Sequence, residues 1–458
     1  MRETTFTIEG SLKTLLDGKK YASLKDILLT MNPADIAETF NRLDNEQLVL
    51  LFRLLSKDLA AETFAEMDPD AQEMLIRGLS DTELKQVVNE LYTDDAASLV
   101  DDMPANVVKR ILAQADPQLR REINEILRYP DNSAGSVMTT EYVAFSPEMS
   151  LEDAITYLRR TGVDKETIYT CYVTEKGVLI GLVTLKNLLM TRRTDAKIRD
   201  IMDENVISVS TGDDREEIAQ MLSKYNFIAI PVVDADSRLV GIVTFDDAMD
   251  VLEEEATEDI EKMAAILPSD KAYLRSSSFE LFRHRIPWLL LLMISATFTG
   301  MIITGFENAL AAQVVLTAFI PMLMDTGGNS GSQASVTVIR ALSLGEVDFS
   351  DLPVVIWKEL KAAIMCGCVL SCACFLKIML VDRMLLGNTA VTLPVAAVVC
   401  FTMVITVIVA KFIGCVLPML AKRIGFDPAV MASPFITTIV DAMSLLFYFG
   451  IARALLNL

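Results

Sequence analysis

The stretch MDTGGNSGSQ, from Met324 to Gln333, stands inside an apolar segment that otherwise reads as a membrane helix. Polar or irregular backbone at membrane depth survives only where it is buried in protein or lines water. The glycines predict either close helix packing, for which Gly327 and Gly331 have the spacing, or local unwinding that frees backbone carbonyls. Packing does not explain Asn329 and Gln333, so we interpret the stretch as one side of an ion path.

A second polar feature lies in the last apolar segment, SPFITTIVDAMSLLFYF. Helical spacing places Ser433, Thr437, Asp441, Ser444 and Tyr448 on one face of it. An ionised side chain at the bilayer centre costs about 2.5–3.5 kcal/mol on insertion scales, and it is tolerated beside a wet cavity or a cation. The alternative is an aspartate that is hydrogen-bonded between helices. The length of the polar stripe favours the ion path.

The donor set of these two features indicates which ion they suit. Carbonyls, amides and a carboxylate are hard oxygen ligands, which fit Mg²⁺ or Ca²⁺ better than Zn²⁺ or Cu⁺. Because Mg²⁺ gives up water reluctantly, a pore for it should admit a largely hydrated ion and offer few carboxylates. One Asp441 per chain fits that requirement, and two chains around a twofold axis would present two carboxylates to one ion.

The apolar part of the chain predicts five membrane spans, since a span needs about 20 apolar residues. Lys and Arg in the intervening loops alternate between the two sides of the membrane. This pattern places the N-terminal half in the cytosol and the C-terminus outside, and the polar N-terminus shows no signal peptide. The five segments are Ile286–Phe306, Ala309–Ile339, Ala362–Val381, Met384–Ala410 and Pro428–Ala452.

Charge is divided unevenly along the 458 residues. Residues 271–458 carry 13 Lys and Arg against 10 Asp and Glu, which gives this part a net charge of +3. Since the net charge of the whole chain is −21, residues 1–270 have a net charge of −24. An acidic surface of that size argues against nucleic acid and anionic lipid and suits cations. Solubility alone is the alternative. Seven cysteines and one histidine, His284, support neither a zinc site nor a disulfide framework.

Two internal repeats organise the acidic half. AETFNRLDNEQ from Ala37 and AETFAEMDPDAQ from Ala61 recur 24 residues apart and predict a superhelical array of short helices. VMTTEYVAFSPEMSLEDAITYLRR from Val137 matches IMDENVISVSTGDDREEIAQMLSK from Ile201, and each copy reads strand, helix, two strands, helix. EEEATEDIEKMAAI, from Glu253, follows as an acidic helix that needs cations or a basic neighbour.

The second repeat resembles a tandem CBS pair over residues 137–252. Such pairs often bind adenosine nucleotides through a Thr-x-x-Asp contact at the ribose, which Thr244 and Asp247 match, whereas the first copy has Asn187 at the position of the acid. Together with the CBS pair, two motifs in the apolar part make the whole chain resemble the MgtE family of magnesium channels and transporters. These motifs are GGNSGSQAS and DPAVMASPFITTIVDAMSLL.

That resemblance implies an α-helical integral membrane protein with five transmembrane helices per chain, a cytosolic all-α superhelical N-domain and an α/β tandem CBS domain. The implied domains are residues 1–130, the helical-repeat N-domain; 131–252, the CBS pair; 253–280, the acidic connecting or plug helix; and 281–458, the five-helix pore domain. It also implies a homodimer in the cytoplasmic membrane, with lipid around it and the pore between protomers.

The resemblance further implies roles for individual residues. Asp441 takes the position of the pore aspartate, and the other pore positions are Asn329, Gly328, Ser433 and Thr437. Asp325 has no counterpart to carry over. Cytosolic Mg²⁺ would bind acids between the N-domain, the CBS pair and the plug helix. The matching acids are Glu62, Asp94, Asp214, Glu216, Asp247, Asp250, Glu255, Glu258, Asp259 and Asp427.

The sequence therefore predicts a Mg²⁺-selective channel or transporter that mediates influx and closes when Mg²⁺ binds its acidic domains, with ATP as a possible ligand of the CBS pair. One alternative is a CBS-regulated carrier for another divalent cation such as Co²⁺ or Mn²⁺. Another is a nucleotide-sensing membrane scaffold without transport, against which Asp441 weighs. We find no nucleophile–base pair, so we do not expect an enzyme.

Overall fold

The structure is a computed structural model that describes residues 12, 14–16, 18–193, 196–269, 273, 276–431 and 433–456. It divides into two compact units, Met1–Leu252 and Glu253–Leu458.

The first unit begins with short helices of eight to ten residues. Their first turns explain where they start, since Asp44 and Ser80 cap two of them and proline occupies the first turn of three others. Several helices pack against the next but one, which builds the array that the 24-residue repeat predicts. These helices are Tyr21–Leu28, Pro33–Phe40, Asn45–Phe52, Lys57–Ala65, Pro69–Gly78, Asp81–Val88, Thr93–Asp102, Ala105–Gln114 and Pro117–Ile126.

The same unit continues with two three-stranded sheets of identical topology. In the first, β1 (Ala144–Phe145) pairs parallel with β2 (Thr170–Glu175), which pairs antiparallel with β3 (Val178–Thr184). In the second, β4 (Val209–Ser210), β5 (Ala229–Val233) and β6 (Leu239–Thr244) repeat that order.

Helices complete each copy of this repeat. Leu151–Thr161 and Arg215–Tyr225 lie between the first and second strands, and Leu185–Met190 and Phe245–Met263 follow the third. A short helix, Ile198–Ile201, joins the two copies. The predicted order of strand, helix, two strands and helix is confirmed in both copies.

Phe245–Met263, called here the connecting helix, carries the acidic stretch. It begins inside the second repeat rather than at Glu253, because no helix breaker separates the two. It ends at Met263, and Ala265 beyond it has a positive φ of 54°. The prediction of a plug helix over 253–280 is therefore wrong in extent, since residues 264–269 do not continue the helix.

The second unit is helical. Four of its described helices are long and apolar enough to cross a membrane: Ser278–Gly305, Phe349–Leu385, Leu393–Arg423 and Pro428–Leu456. The first and last turns of these ranges include 3-10 or π segments, namely Phe349–Asp351, Ile378–Leu385 and Pro428–Met431. The last helix proper, Ser433–Leu456, is called the aspartate helix.

The predicted second span, Ala309–Ile339, divides in the structure. Glu307–Ala312 is a short helix, Val314–Phe319 is a 3-10 turn, and Ile320–Ser343 is a helix of 24 residues that we call the glycine helix. Its polar motif keeps it out of the set of four apolar helices, so five spans remain a prediction. It packs against both Leu393–Arg423, called the scaffold helix, and the aspartate helix.

The predicted fourth span, Met384–Ala410, is wrong in its bounds. The scaffold helix begins only at Leu393, after a π segment and a loop, and continues to Arg423. The uncharged segment of the sequence ends at Ala410, and Lys411 follows it. In the structure Lys411 is 7% exposed, and its Nζ lies 3.3 Å from Glu359 Oε2 on helix Leu352–Lys377. The pairing lets a charge stand inside a buried helix.

Candidate ion path and cation-binding clusters

The glycine helix is continuous, so the alternative of local unwinding at its motif is not what the structure has. The glycines instead allow close packing. A Cβ on Gly327 would lie 2.7 Å from Thr406 Cγ2, one on Gly328 would lie 2.8 Å from Thr437 Cγ2, and one on Gly331 would lie 2.9 Å from Ile436 Cγ2. Small residues thus bring the glycine helix against its two neighbours.

The opposite face of the glycine helix is polar. Asp325, Asn329 and Gln333 recur every four residues, and all three are exposed on the single chain. Polar side chains at membrane depth require water or another protein surface beside them. This face therefore has the properties of a wet cavity wall or of an interface.

Asp441 lies in the middle of the aspartate helix and is half-buried. Its Oδ1 atom is buried, and no group among the described residues donates a hydrogen bond to it. The Asp325 carboxylate is close enough to act on it electrostatically. An aspartate held between helices by hydrogen bonds would have donors around both oxygens, so the unpartnered Oδ1 favours a cation or water as its partner.

The polar stripe around Asp441 is shorter than the sequence suggests. Ser444 Oγ donates to the carbonyl of Val440 at 2.6 Å, and Tyr448 Oη donates to the carbonyl of Leu316 at 3.0 Å. Both side chains are buried and serve internal packing. Thr437 lies against Gly328, and the side chain of Ser433 is outside the described residues.

A charged cluster surrounds the end of the connecting helix. Lys262 Nζ lies 2.6 Å from Glu258 Oε1 and 2.6 Å from Asp427 Oδ2. Asp259 Oδ2 accepts a hydrogen bond of 3.0 Å from Ser343 Oγ, the last residue of the glycine helix. The structure therefore brings together Glu258, Asp259 and Asp427, which the sequence proposed as sensors, around a lysine that the sequence reading missed.

The electrostatics of this cluster are those of a partly buried ion pair. Burial disfavours the charged ammonium of Lys262, but its hydrogen bonds to Asp427 and Glu258 outweigh that cost and raise its pKa. Burial also raises the pKa of Asp259, opposed by the Ser343 hydrogen bond and assisted by Asp427. The connecting helix is thereby fixed to the loop before Pro428 and to the glycine helix.

A second acidic cluster lies in the first unit, around Asp94 and Asp247. Burial, followed by repulsion from Asp247, raises the pKa of Asp94 well above its ordinary range. The same two causes raise the pKa of Asp95 to about 7 and that of Glu166 to about 8. Burial also raises the pKa of Asp247 to about 6, against the hydrogen bond from Thr244.

Several members of this cluster were missed by sequence reasoning. Glu166 Oε2 is buried without a hydrogen-bond partner among the described residues. Asp246 and Glu141 also contribute to the field on Asp95 and Glu166. The paired acids at 94–95 and 246–247 were the available signal, whereas nothing in the sequence around Glu166 places it beside them. No three of these groups within the described part already surround one point as metal ligands.

The remaining predicted sensors have more local surroundings. Asp250 acts electrostatically on Asp247, and Glu62 acts on Tyr92 beside the cluster. Asp214 Oδ1 caps its helix by accepting from the amide of Glu216 at 2.8 Å. Glu255 is half-buried on the connecting helix. Of these five acids, Asp250 and Glu62 are the two that act on groups of the acidic cluster or beside it.

The candidate nucleotide contact involves a threonine at the same position in both repeats, but its hydrogen bond differs between them. Thr244 Oγ1 donates a hydrogen bond to Asp247 Oδ2. In the first copy Thr184 Oγ1 accepts from the amide of Asn187 at 3.2 Å. Each threonine therefore stands at the start of the helix that follows the third strand, which is a suitable place for an anionic or ribose ligand.

Three family models match the chain. A model described as MgtE, divalent cation transporter, matches residues 320–451, a model of the MgtE intracellular N domain matches 31–132, and CBS domain models match 134–193 and 198–254.

Curated relatives match almost the full chain. Magnesium transporter MgtE of Thermus thermophilus is 36% identical over 453 residues, covering 98% of both chains. Magnesium transporter MgtE of Bacillus subtilis is 31% identical over 448 residues, covering 97% of this chain and 96% of the relative.

Two solved structures resemble the first part of the chain. The cytosolic domain of the Mg²⁺ channel MgtE in complex with ATP is 34% identical, with a TM-score of 0.50, and covers 53% of this chain and 99% of its own. The soluble part of a magnesium transporter is 30% identical, with a TM-score of 0.51, and covers 56% and 100%.

Proposed function

The chain belongs to the MgtE family of magnesium transporters, and from that premise we propose that it is a Mg²⁺-selective channel of the cytoplasmic membrane. It mediates Mg²⁺ influx and is closed when Mg²⁺ binds its acidic cytosolic domains. The single observation that carries the pore assignment is the buried, unpartnered Oδ1 of Asp441. A carboxylate oxygen in that state requires a hydrogen-bond donor or a cation, and a hydrated Mg²⁺ supplies both.

The ion path runs between the glycine and aspartate helices of two protomers. Asp325, Asn329 and Gln333 form a polar face that is exposed on one chain, and a second chain or water would cover it. The glycine helix is then the fifth span, held in place by close contacts at Gly327, Gly328 and Gly331. Asp441 binds a largely hydrated Mg²⁺, with Asn329, Gly328, Thr437 and Ser433 along the path.

The gate is the connecting helix. Lys262 ties it to Asp427, and Asp259 ties it to Ser343 at the end of the glycine helix. Mg²⁺ at Glu255, Glu258, Asp259 and Asp427 strengthens that attachment. Because one continuous helix carries Asp247 near its start and Asp259 near its end, cation binding at the acidic cluster can bias the gate.

Cation binding closes the channel by its differential affinity for the closed state. The pKa values of Asp94, Asp95, Glu166 and Asp247 are raised first by burial and then by repulsion between neighbouring carboxylates. A divalent ion relieves that repulsion only where the acids are together. Several weak sites can jointly supply the roughly 5.5 kcal/mol that a near-complete switch requires.

The N-terminal domains lie in the cytosol and the C-terminus lies outside, as the loop charges indicate. ATP binds at the second CBS copy through Thr244 and Asp247; the relative that was solved with ATP supports this assignment. A carrier for Co²⁺ or Mn²⁺ is not favoured, since the relatives are magnesium transporters. They are transporters rather than enzymes, so no catalytic activity is proposed.

The test is Mg²⁺ uptake into liposomes that contain the purified protein. Asp441→Ala should abolish uptake while the protein remains folded. Asp382→Asn is the matched control, because Asp382 bonds Lys377 at 2.9 Å and its loss removes a carboxylate of the same half of the chain away from the ion path. Undiminished uptake by Asp441→Ala would reject the pore assignment.

A further inference from the structure

The helix Thr93–Asp102 carries Asp94 and Asp95 in its first turn, where Asp94 Oδ1 accepts from the Asp95 amide at 2.9 Å. The N-cap residue is Tyr92, which makes no side-chain capping bond. A helix start leaves backbone N–H groups without intrahelical partners, and a carboxylate is the favoured partner for them. The first amide of the helix, that of Thr93, is bonded by a residue far along the chain.

Glu141, at the start of the first CBS copy, is that residue. Its Oε1 accepts a hydrogen bond of 2.6 Å from Thr93 Oγ1, and its Oε2 accepts one of 3.4 Å from the Thr93 amide. Thr93 is fully buried, and its hydroxyl also lies 3.0 Å from that of Thr140. The contact joins the helical array to the CBS pair.

The same carboxylate is anchored on the CBS side. Its Oε2 accepts from Thr139 Oγ1 at 2.6 Å and from the Thr140 amide at 3.1 Å. Thr139 in turn exchanges two backbone hydrogen bonds with Ile242 of β6, at 2.8 and 2.9 Å. The amide of Glu166 donates to the carbonyl of Glu141 at 3.0 Å. Glu141 therefore contacts the segments of Thr93 and Glu166 directly, and it is joined through Thr139 to β6, which precedes Asp247.

We propose that Glu141 is a positioning residue, a metal-independent latch that holds Asp94 and Asp95 opposite Asp247 and Glu166 and so sets the Mg²⁺ concentration at which the sensor closes. The proposal rests on the cation-sensing role proposed above. Glu141 uses neutral donors, two hydroxyls and two amides, to keep the helix docked against the repulsion of the surrounding acids. Without these bonds Mg²⁺ must provide the docking free energy alone.

The size of the effect follows from the bonds involved. Hydrogen bonds to a charged acceptor are stronger than those between neutral groups, and burying the donors without it adds a penalty. Removal of the latch should raise the Mg²⁺ concentration for half-maximal closure about tenfold, because this is the change in equilibrium constant expected when hydrogen bonds to a charged group are lost.

The experiment is hydrogen–deuterium exchange of the full-length protein, read at the Thr93–Asp102 helix across a Mg²⁺ titration that starts in chelator. Thr93→Val removes the donor without changing charge, and Thr93→Ser keeps it. Glu141→Ala removes the acceptor. Glu152→Ala is the matched control, because it removes an exposed carboxylate from the same CBS copy.

The latch predicts faster exchange in chelator for Thr93→Val and Glu141→Ala, and an upward shift of the Mg²⁺ midpoint in both. Thr93→Ser and Glu152→Ala should match the wild type. If the Mg²⁺ midpoint shifts in Glu141→Ala but not in Thr93→Val, the latch is overturned, because only the change in charge then explains the shift. If the wild type shows no Mg²⁺-dependent protection, the sensing role fails, while exchange in chelator still decides whether the latch exists.

Discussion

Lys262, near the end of the connecting helix, bonds Asp427 at 2.6 Å across 165 residues of sequence. The same ammonium holds Glu258 one helical turn earlier. One cation thus satisfies two carboxylates that the proposed mechanism also assigns to Mg²⁺. The position of the connecting helix depends on how these two acids are neutralised, by the lysine, by Mg²⁺ or by both.

Lys262→Met should make closure more dependent on Mg²⁺. Without the ammonium, Glu258 and Asp427 repel each other, so the concentration for half-maximal closure should rise about two- to fivefold, the range expected for a partly exposed pair. Flux into liposomes at graded internal Mg²⁺ measures it. Lys197→Met, which breaks an exposed pair with Glu148, is the control. Equal midpoints in Lys262→Met and wild type would contradict the assigned role of the pair.

The acidic cluster should make stability depend on pH when no divalent cation is present. Asp95, Asp247 and Glu166 have pKa values of about 7, 6 and 8 in the folded protein, above the ordinary carboxyl range near 4. The folded state therefore keeps protons that the unfolded state has released, and stability falls as pH rises from about 5 to 8.

Thermal unfolding of the protein in chelator at pH 5.5 and pH 8 measures this dependence, and the melting temperature should be lower at pH 8. Millimolar Mg²⁺ should flatten the difference, because the bound ion replaces the protons. Asp95→Asn combined with Glu166→Gln should flatten it without Mg²⁺. A melting temperature that rises with pH in chelator would show that the cluster is not crowded in the way described.

Gly328→Ala should destabilise the second unit. The new Cβ would lie 2.8 Å from Thr437 Cγ2, a clash that forces the glycine and aspartate helices apart. Overpacking of this kind costs about 1–3 kcal/mol. Thr437→Ser removes the clashing methyl group, so the double variant should regain part of the loss. Thermal unfolding in detergent compares the three proteins, and an unaffected single variant would refute the close packing.

Breaking the buried pair of Glu359 and Lys411 should destabilise the protein strongly, whereas replacing both residues by apolar ones should change its stability little. Glu359→Gln leaves the Lys411 ammonium buried without its counter-ion, which costs about 3–5 kcal/mol. The double variant with methionine at both positions has neither charge, so its melting temperature should lie close to that of the wild type. Asp382→Asn, which breaks a more exposed pair, is the control. A double variant as unstable as Glu359→Gln would argue for a role beyond charge balance.

Local pattern predicted much of this fold. The two CBS copies follow from alternating strands and a helix in each repeat, and Asp441 stands out because an acid in an apolar helix demands a reason. The bounds of the scaffold helix could not be predicted in this way. Lys411 reads as a helix end in the sequence, and only its pairing with Glu359, 52 residues away, makes it an interior residue.

Some residues of the candidate sites could be predicted from the sequence, and others could not. Acids that stand in doublets, such as Asp94 beside Asp95, could be singled out by charge density alone. Lys262 and Glu166 could not, because their importance comes from tertiary neighbours: Asp427 in one case and Asp247 in the other. Glu141 belongs to the same group, since its partners Thr93 and Thr139 are ordinary residues in sequence.

The central claim is that Mg²⁺ passes Asp441, and it is tested most directly where the gate cannot interfere. Glu258→Gln with Asp259→Asn should leave the channel open at high cytosolic Mg²⁺, because the acids that Mg²⁺ bridges are gone. Mg²⁺ flux into liposomes is then compared for this open variant with and without Asp441→Asn. We predict that the added substitution reduces flux to the level of protein-free liposomes. Flux that persists in the triple variant would contradict the assignment of Asp441 to the ion path.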